Sequence, residues 1–481
     1  MTRIKKITLI LLSVIIFFIA CSKEKEFLPV KNWIVKVGGV PLDEKYVYLK
    51  MKQKSFVNDT SVTTEEITSF IEKELLDRML LQAEGYRRGY HHLKRIKHLV
   101  TNYKINYLSS TDGPLYERIL SDKYEPSRSD IDYFYKKQDV RYLIAVIYSK
   151  NKCLIDSLSS VLNEHPEKFE ELSVKFSEDE DTQRYGRIAY QTVAYMGSES
   201  AITGVLPDME VGEISQPVQE NEGYYLIKLF KKEKQSLPPV EQLWENVYKR
   251  TVIRKKDSIA KAYIRKLHQR YPVTVLNDTR DLILSYYDKK SRKIVEENIP
   301  ENLKEKVILK VADLEIPFYY IIPIYNAPVF RKRVPLDCEE NLDNWLEYNV
   351  IQRVLIYKES LVRKLDQLPK VKEKIELYER EMIANRVYRD LFLDQVEVQE
   401  SEIKAKYEEL KSKLNNQPLN ENVRMFITDM IKSEKAKKLF REKIPELKKN
   451  NKIVYNGPGL EKMVKQIKEW AKAELENQQR N

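Results

Sequence analysis

Val211-Gly212-Glu213-Ile214-Ser215-Gln216-Pro217-Val218, followed four residues later by Gly223-Tyr224-Tyr225-Leu226-Ile227-Lys228-Leu229, decides the fold at the centre of this chain. Ile214–Val218 and Tyr224–Phe230 are rich in β-branched and aromatic residues and are bounded by turn residues, so both read as strands. A third such run lies upstream at Val140–Ser149. Working outward, the pattern becomes helical. Ile67, Ile71, Leu75, Met79 and Leu80 fall on one helix face behind the cap Thr63-Thr64-Glu65-Glu66. Pro126-Ser127-Arg128-Ser129-Asp130-Ile131 starts another helix, and a long one runs from Pro238-Pro239 to Tyr271. Short strands are expected at Trp33–Val37, before Gly38-Gly39, and at Pro272-Val273-Thr274-Val275.

Composition agrees with a mostly helical protein. The 481 residues suggest two to four domains. Hydrophobic residues at 42% and aromatics at 10% exclude a wholly disordered chain. Gly at 12 of 481 residues is far below the usual ~7%, against Gly-rich nucleotide loops and turn-dense barrels. Charged residues at 33% and a mean hydropathy of -0.54 suit long solvated helices. A single long apolar stretch excludes a multi-span membrane protein.

That stretch is N-terminal. Arg3, Lys5 and Lys6 precede the apolar run Ile7–Ala20, which is too short to span comfortably and suits a signal-peptide core. It ends Phe18-Ile19-Ala20-Cys21, which resembles a bacterial lipoprotein signal. The expectation is removal of 1–20, lipidation of Cys21, a tether over 21–32, and a lipid-anchored, extracytoplasmic protein. Without residues 1–20 the balance is 81 Lys+Arg against 73 Asp+Glu, a net +8. Both signs are interleaved, so nucleic acid is not an expected partner. Cys153 and Cys338 lack metal-ligand spacing, and no metal is expected. They fall in different modules, which reads as two unpaired thiols, although an exported protein could join them.

The second half repeats the first. Ile34-Val35-Lys36-Val37 matches Ile308-Leu309-Lys310-Val311 at an offset of 274, and Asp130-Ile131 with Tyr135 matches Glu402-Ile403 with Tyr407 at 272. Leu243, Val247, Ile259, Ile264, Leu267 and Val273 then match Val423, Ile427, Leu439, Ile444, Leu447 and Ile453 at 180. The drop of about ninety residues equals the strand-rich segment, so the second copy lacks that insert. The expected layout is a helical unit from 33–139 and 234–276 around an inserted domain, 140–233. A linker, 277–306, leads to a second unit, 307–456, and a C-terminal helix, 457–481.

The insert resembles a parvulin-type (PpiC) peptidyl-prolyl isomerase domain. Its landmarks are Val140-Arg141-Tyr142, the helix Phe169–Ser177, Gly186-Arg187-Ile188, Val211–Val218 and Gly223–Leu229. An inserted parvulin domain in a helical unit behind an export signal resembles the SurA and PrsA class of envelope foldases. The resemblance implies an α+β fold: duplicated, mostly helical chaperone units, and one four-stranded antiparallel sheet with helices. It implies unfolded or nascent exported proteins as partners and no cofactor.

The departures bear on chemistry. The family's two His positions fall on Ile144 and Tyr225, a third polar position falls on Asp179, and the proline pocket maps to Ile188 and Ile202. Rotation about X-Pro crosses ~18–20 kcal/mol, and no bond breaks. Catalysis therefore means binding the twisted amide better than either planar isomer. Ile144 offers no hydrogen bond to a polar floor, and Tyr225 keeps one. His165, before Pro166, matches no family site and reads as solvated. Three functions follow: a lipid-anchored chaperone with a weak or inactive isomerase domain, a working isomerase using Asp179 and Tyr225, or a non-catalytic scaffold lipoprotein. The 31 tyrosines, Tyr133, Tyr135, Tyr378 and Tyr388 among them, favour contacts that are apolar yet tolerate water. Phe318–Ile322 reads as buried.

Overall fold

The computed structural model describes residues 27, 32–54, 61–119, 125–179, 188–192, 200–328 and 333–480, with 188–192 and 473–480 as backbone only. The signal region 1–20, Cys21 and its tether to 26, the Gly186-Arg187 pair and the Ile188 side chain lie outside what is described.

The first copy opens with strands β1 (Trp33–Val37) and β2 (Val40–Asp43) and helix α1 (Glu44–Gln53). Helix α2 (Thr64–Phe70) passes through a π-helical turn, Ile71–Leu75, into α3 (Leu76–Arg87), followed by α4 (Lys94–Ser109) and α5 (Arg128–Lys136). The lobe then runs β3 (Val140–Ser149), α6 (Lys152–Glu164), α7 (Phe169–Phe176), β4 (Ile188–Thr192), α8 (Ala201–Val205), β5 (Val218–Glu220) and β6 (Gly223–Lys234). Helix α9 (Val240–Arg270) and β7 (Val273–Val275) return from it. Next come α10 (Thr279–Ser285) and a hairpin of β8 (Tyr287–Asp288) and β9 (Lys293–Ile294). The second copy has β10 (Val307–Val311), β11 (Leu314–Pro317), α11 (Phe318–Asn326) and α12 (Glu339–Leu346). A π-helical turn at Glu347–Ile351 continues into α13 (Gln352–Val362), then α14 (Pro369–Leu391), α15 (Glu400–Leu410), α16 (Glu421–Asn450), β12 (Ile453–Tyr455) and α17 (Gly457–Arg480).

The two copies repeat this order down to the π turn, a distortion that inserts one residue into a helix. Thr63 and Glu66 form the expected capping box before α2, and Ile67, Ile71, Met79 and Leu80 are buried. The β1–β2 turn uses Gly38 (φ +53°) and Gly39 (φ +85°). A Cβ on Gly38 would lie 2.9 Å from both Ala83 Cβ and Asn451 Oδ1, so the turn needs glycine twice over, for its φ and for its space. The β10–β11 turn places Ala312 at φ +52° instead.

Strand pairing corrects the expected grouping of segments. The chain divides into two compact units, residues 1–100 with 373–481, and residues 101–372. In the first, the sheet order is β12-β1-β2, with Val35 opposite Tyr455 and Val37 opposite Ile453. In the second, the order is β11-β10-β7, with Leu309 opposite Val275 and Val311 opposite Val273. Each sheet therefore takes its hairpin from one copy and its third strand from the other. The physical reason is that Val273-Thr274-Val275 and Ile453-Val454-Tyr455 present the same alternation to the same edge, so either fits. Connectivity then favours β7 on β10, because closing roughly thirty residues costs less chain entropy than closing more than two hundred back to β1. The expected linker, 277–306, is also ordered: Thr279, Leu282 and Ile283 are buried, and Thr279 Oγ1 donates to Ile308 O at 2.7 Å. Phe318, Tyr320, Ile321 and Ile322 are buried as expected. No helix among the described residues is long and apolar enough to cross a membrane.

The lobe is a four-stranded antiparallel sheet, β4-β3-β6-β5. Its centre is the β3–β6 ladder, from Val140 opposite Lys234 to Ser149 opposite Tyr224. One face, with Ala145, Ile147, Tyr224 and Leu226, is covered by Ile155, Leu158 and Leu162 of α6 and Phe169 of α7. The other packs under Ile202 and Val205 of α8 with Leu206 and Met209.

Candidate functional site on the lobe

The second face is where the sequence places the site. Along β3, residues of one parity share a side of the sheet, so Tyr142, Ile144, Val146 and Tyr148 line up together. Along β6 the matching side carries Tyr225, Ile227 and Leu229. Tyr142, Ile144, Val146, Ile227 and Leu229 are buried in one apolar cluster, with Tyr225 and Ile202 packed at its margin.

Register separates two of the expected site residues. A shift between Leu143 and Ile144 puts Ile144 opposite Leu229, whereas Tyr225 lies opposite Tyr148. Ile144 and Tyr225 thus share a face but lie four residues apart along the strand pair, about 13 Å at the usual rise. The ring beside Tyr225 is Tyr148, with centroids 4.7 Å apart. Tyr148 also fills the space over Gly223, where a Cβ would come within 2.2 Å of its ring. Sequence reasoning missed Tyr148, although counting by twos from Ile144 reaches it.

Asp179 is brought to the same end of β3 by the backbone around it. Tyr148 N–H donates to the buried Ser177 Oγ at 3.0 Å, Glu178 N–H donates to Tyr148 O at 2.7 Å, and Asp179 N–H donates to Ser177 Oγ at 3.3 Å. Glu178 Oε1 accepts from Ser149 Oγ at 2.6 Å. Asp179 is half-buried. His165, the one histidine in 140–233, is exposed at the end of α6.

A second carboxylate, Glu220, joins this end of the face. It lies two residues beyond Val218 on β5 and opposite Gly223, so it shares the side of Val218 and Tyr225. Its Oε2 accepts from Ala201 N–H at 2.6 Å, and its Oε1 from Lys261 Nζ of α9 at 2.9 Å. Burial works against the Lys261 charge, but Glu220 and Asp257 hold its pKa above the ordinary value. What results is an apolar floor ending in two tyrosine rings and a lysine-bound carboxylate. It can pack a ring and accept or donate a few hydrogen bonds. Ile144 at the centre of the floor has no proton to place.

The two cysteines correct a further expectation. Cys153, on the first turn of α6, and Cys338, just before α12, form a disulfide across 185 residues of sequence. Placement in different modules argued for free thiols, but the lobe lies against α12, which brings the sulfurs together. The bond leaves neither sulfur as a thiolate ligand for metal.

Residues 149–231 match the rotamase family model described as PPIC-type PPIASE domain, so that segment is a parvulin-type domain. The PrsA peptidylprolyl isomerase of Bacillus anthracis is 16% identical over 45% of this chain and 96% of its own, with a TM-score of 0.23. PrsA of Bacillus cereus is 20% identical over 57% of this chain and 99% of its own, with a TM-score of 0.22. A Campylobacter jejuni structure of SurA-like chaperones is 14% identical over 49% of this chain and 96% of its own, with a TM-score of 0.20. No curated protein matches the chain.

Proposed function

We propose that the protein is a lipid-anchored folding factor of a bacterial envelope, holding unfolded exported proteins, with a parvulin-type domain that binds peptide and isomerises it weakly or not at all. The observation that carries this reading is the floor of the site: Ile144, Val146, Ile227 and Leu229 form a buried apolar cluster that ends in the half-buried rings of Tyr148 and Tyr225, with no imidazole. The half-buried Tyr148, Tyr225 and Ile202 at its margin are what a proline ring can cover, gaining roughly 25 cal/mol per Å² of apolar area. Among the described residues, its floor holds no imidazole pair to favour the twisted amide over its planar isomers. Anchoring at Cys21 accounts for the basic n-region and apolar run before it.

A protease-free isomerisation assay beside a client-aggregation assay tests the reading on one preparation. Suppression of aggregation without isomerisation supports it. The placement of Asp179 beside Tyr148 favours a second reading, in which Asp179 and Tyr225 suffice for catalysis. Robust isomerisation lost in Asp179→Ala establishes that reading, and absence of both activities leaves a scaffold. Cys21→Ser should stay unprocessed or leave the membrane fraction; unchanged fractionation and migration would remove the anchor from the account.

A further inference from the structure

The lobe is fastened to the helices of its own unit at the end of the face that carries Tyr148 and Tyr225. Lys152 N–H donates to Oδ1 of the buried Asn341 at 2.7 Å, and Asn341 Nδ2 donates to Asn151 Oδ1 at 3.0 Å. Gln219 Nε2 donates to Asn344 Oδ1 at 2.9 Å, Asn344 Nδ2 to Glu222 O at 2.9 Å, and Asn349 Nδ2 to Glu222 Oε2 at 3.3 Å. Asn341, Asn344 and Asn349 come from α12 and the π turn after it. Lys261 reaches Glu220 from α9 on the same hairpin. The disulfide Cys153–Cys338 closes the set covalently at the base of α6.

We propose that Cys153–Cys338 is a thiol-controlled clamp: oxidised, it holds the β5–β6 turn against α12, the π turn and Lys261, closing the mouth beside Tyr225; reduced, it frees that mouth. Only the consequence for peptide rests on the peptide-binding reading above. A dithiol reductant breaks the S–S bond through a mixed disulfide and leaves as its own cyclic disulfide, passing two electrons and two protons to the chain. Among the described residues, what remains is the packing of α6 on α12, a set of amide hydrogen bonds and one partly exposed ion pair. Each contributes modestly, so the mouth opens more often once the covalent link is gone. Both cysteines are half-buried, within reach of a small dithiol.

The test uses the purified protein, oxidised or treated with dithiothreitol, with thiol titration to show two thiols per reduced chain. Hydrogen exchange over 214–226 and 339–351, and acetylation of Lys261 by an amine reagent, should rise severalfold on reduction. Exchange over 33–51 should stay constant. Cys153→Ser with Cys338→Ser should match the reduced protein and ignore dithiothreitol. Glu220→Gln should raise Lys261 acetylation in the oxidised protein. Release of both thiols with unchanged exchange and acetylation overturns the clamp. A fluorescent proline-containing apolar peptide separates the two claims. Tighter binding after reduction supports both. Raised exchange with no binding in either state supports the clamp and ends the peptide-binding reading.

Discussion

In the first unit, the buried Glu84 of α3 accepts from Arg87 and Arg88, one turn on, and from Asn451, just before β12. In the second unit, the buried Glu359 of α13 accepts from Arg363 one turn on, and from Tyr263, Arg270 and Tyr271, at the end of α9 before β7. Asn451 and Tyr271 occupy the same place in the two copies, 180 residues apart. Both carboxylates therefore tie a helix of one copy to the point where the other copy's strand enters the sheet. The donors differ while the charge arrangement is kept, because a carboxylate accepts from any donor aimed at its lone pairs. Burial pushes both carboxyls up, but hydrogen bonds outweigh it: from Arg87, Arg88 and Asn451 for Glu84, and from Tyr271, Arg363 and Tyr263 for Glu359. Both finish at about 2. The units also differ in what they carry, since only the second holds the lobe and the disulfide.

The largest expected difference between them follows reduction. Losing a cross-link over 185 residues should cost the second unit roughly 2–4 kcal/mol and leave the first unchanged, read as separate transitions by calorimetry with and without dithiothreitol. Equal shifts in both would erase the distinction. The carboxylates come next. Glu359→Gln should cost about 3 kcal/mol in urea unfolding, because it weakens charge-assisted bonds and leaves the buried Tyr271 hydroxyl with a poorer acceptor. Glu84→Gln, with fewer donors to lose, should cost about 2 kcal/mol, and the reverse order would break the comparison.

Gly85 and Ser360 sharpen it further. A Cβ on Gly85 would lie 2.1 Å from Ile383 Cγ2, whereas the equivalent Ser360 is buried and donates to Ile356 O at 2.9 Å. Gly85→Ala should cost the first unit about 1–2 kcal/mol through overpacking, and Ser360→Ala the second less. The last comparison is in pH, where the two units are expected to behave alike. With folded carboxyls near 2 and an ordinary value of 4.5, the stabilisation is complete above 4.5 and is lost as pH falls towards 2. Both transitions should soften together in that window, and each Gln variant should flatten the fall in its own unit.

The lobe was legible because its strands announce themselves by β-branched runs between turn residues, and its landmarks stand in order from Val140 to Leu229. The duplication was legible because buried positions recur at fixed offsets. Which third strand joins which hairpin was not, since Val273-Thr274-Val275 and Ile453-Val454-Tyr455 carry the same pattern, and pairing is decided by the path between them. Nor was the separation of Ile144 from Tyr225, because side-chain alternation fixes which face a residue takes but not which residue of the other strand it meets. Cys153–Cys338 and Lys261–Glu220 join residues distant in sequence, and only the docking of the lobe brings them together.

The central claim, that this face of the lobe binds proline-containing peptide and isomerises it weakly or not at all, is tested most directly by two-dimensional NMR exchange on an X-Pro peptide with the reduced protein. The account predicts shifted or broadened peptide resonances, with cis–trans exchange at or little above the slow uncatalysed rate. Strong exchange peaks at catalytic protein concentrations would contradict it.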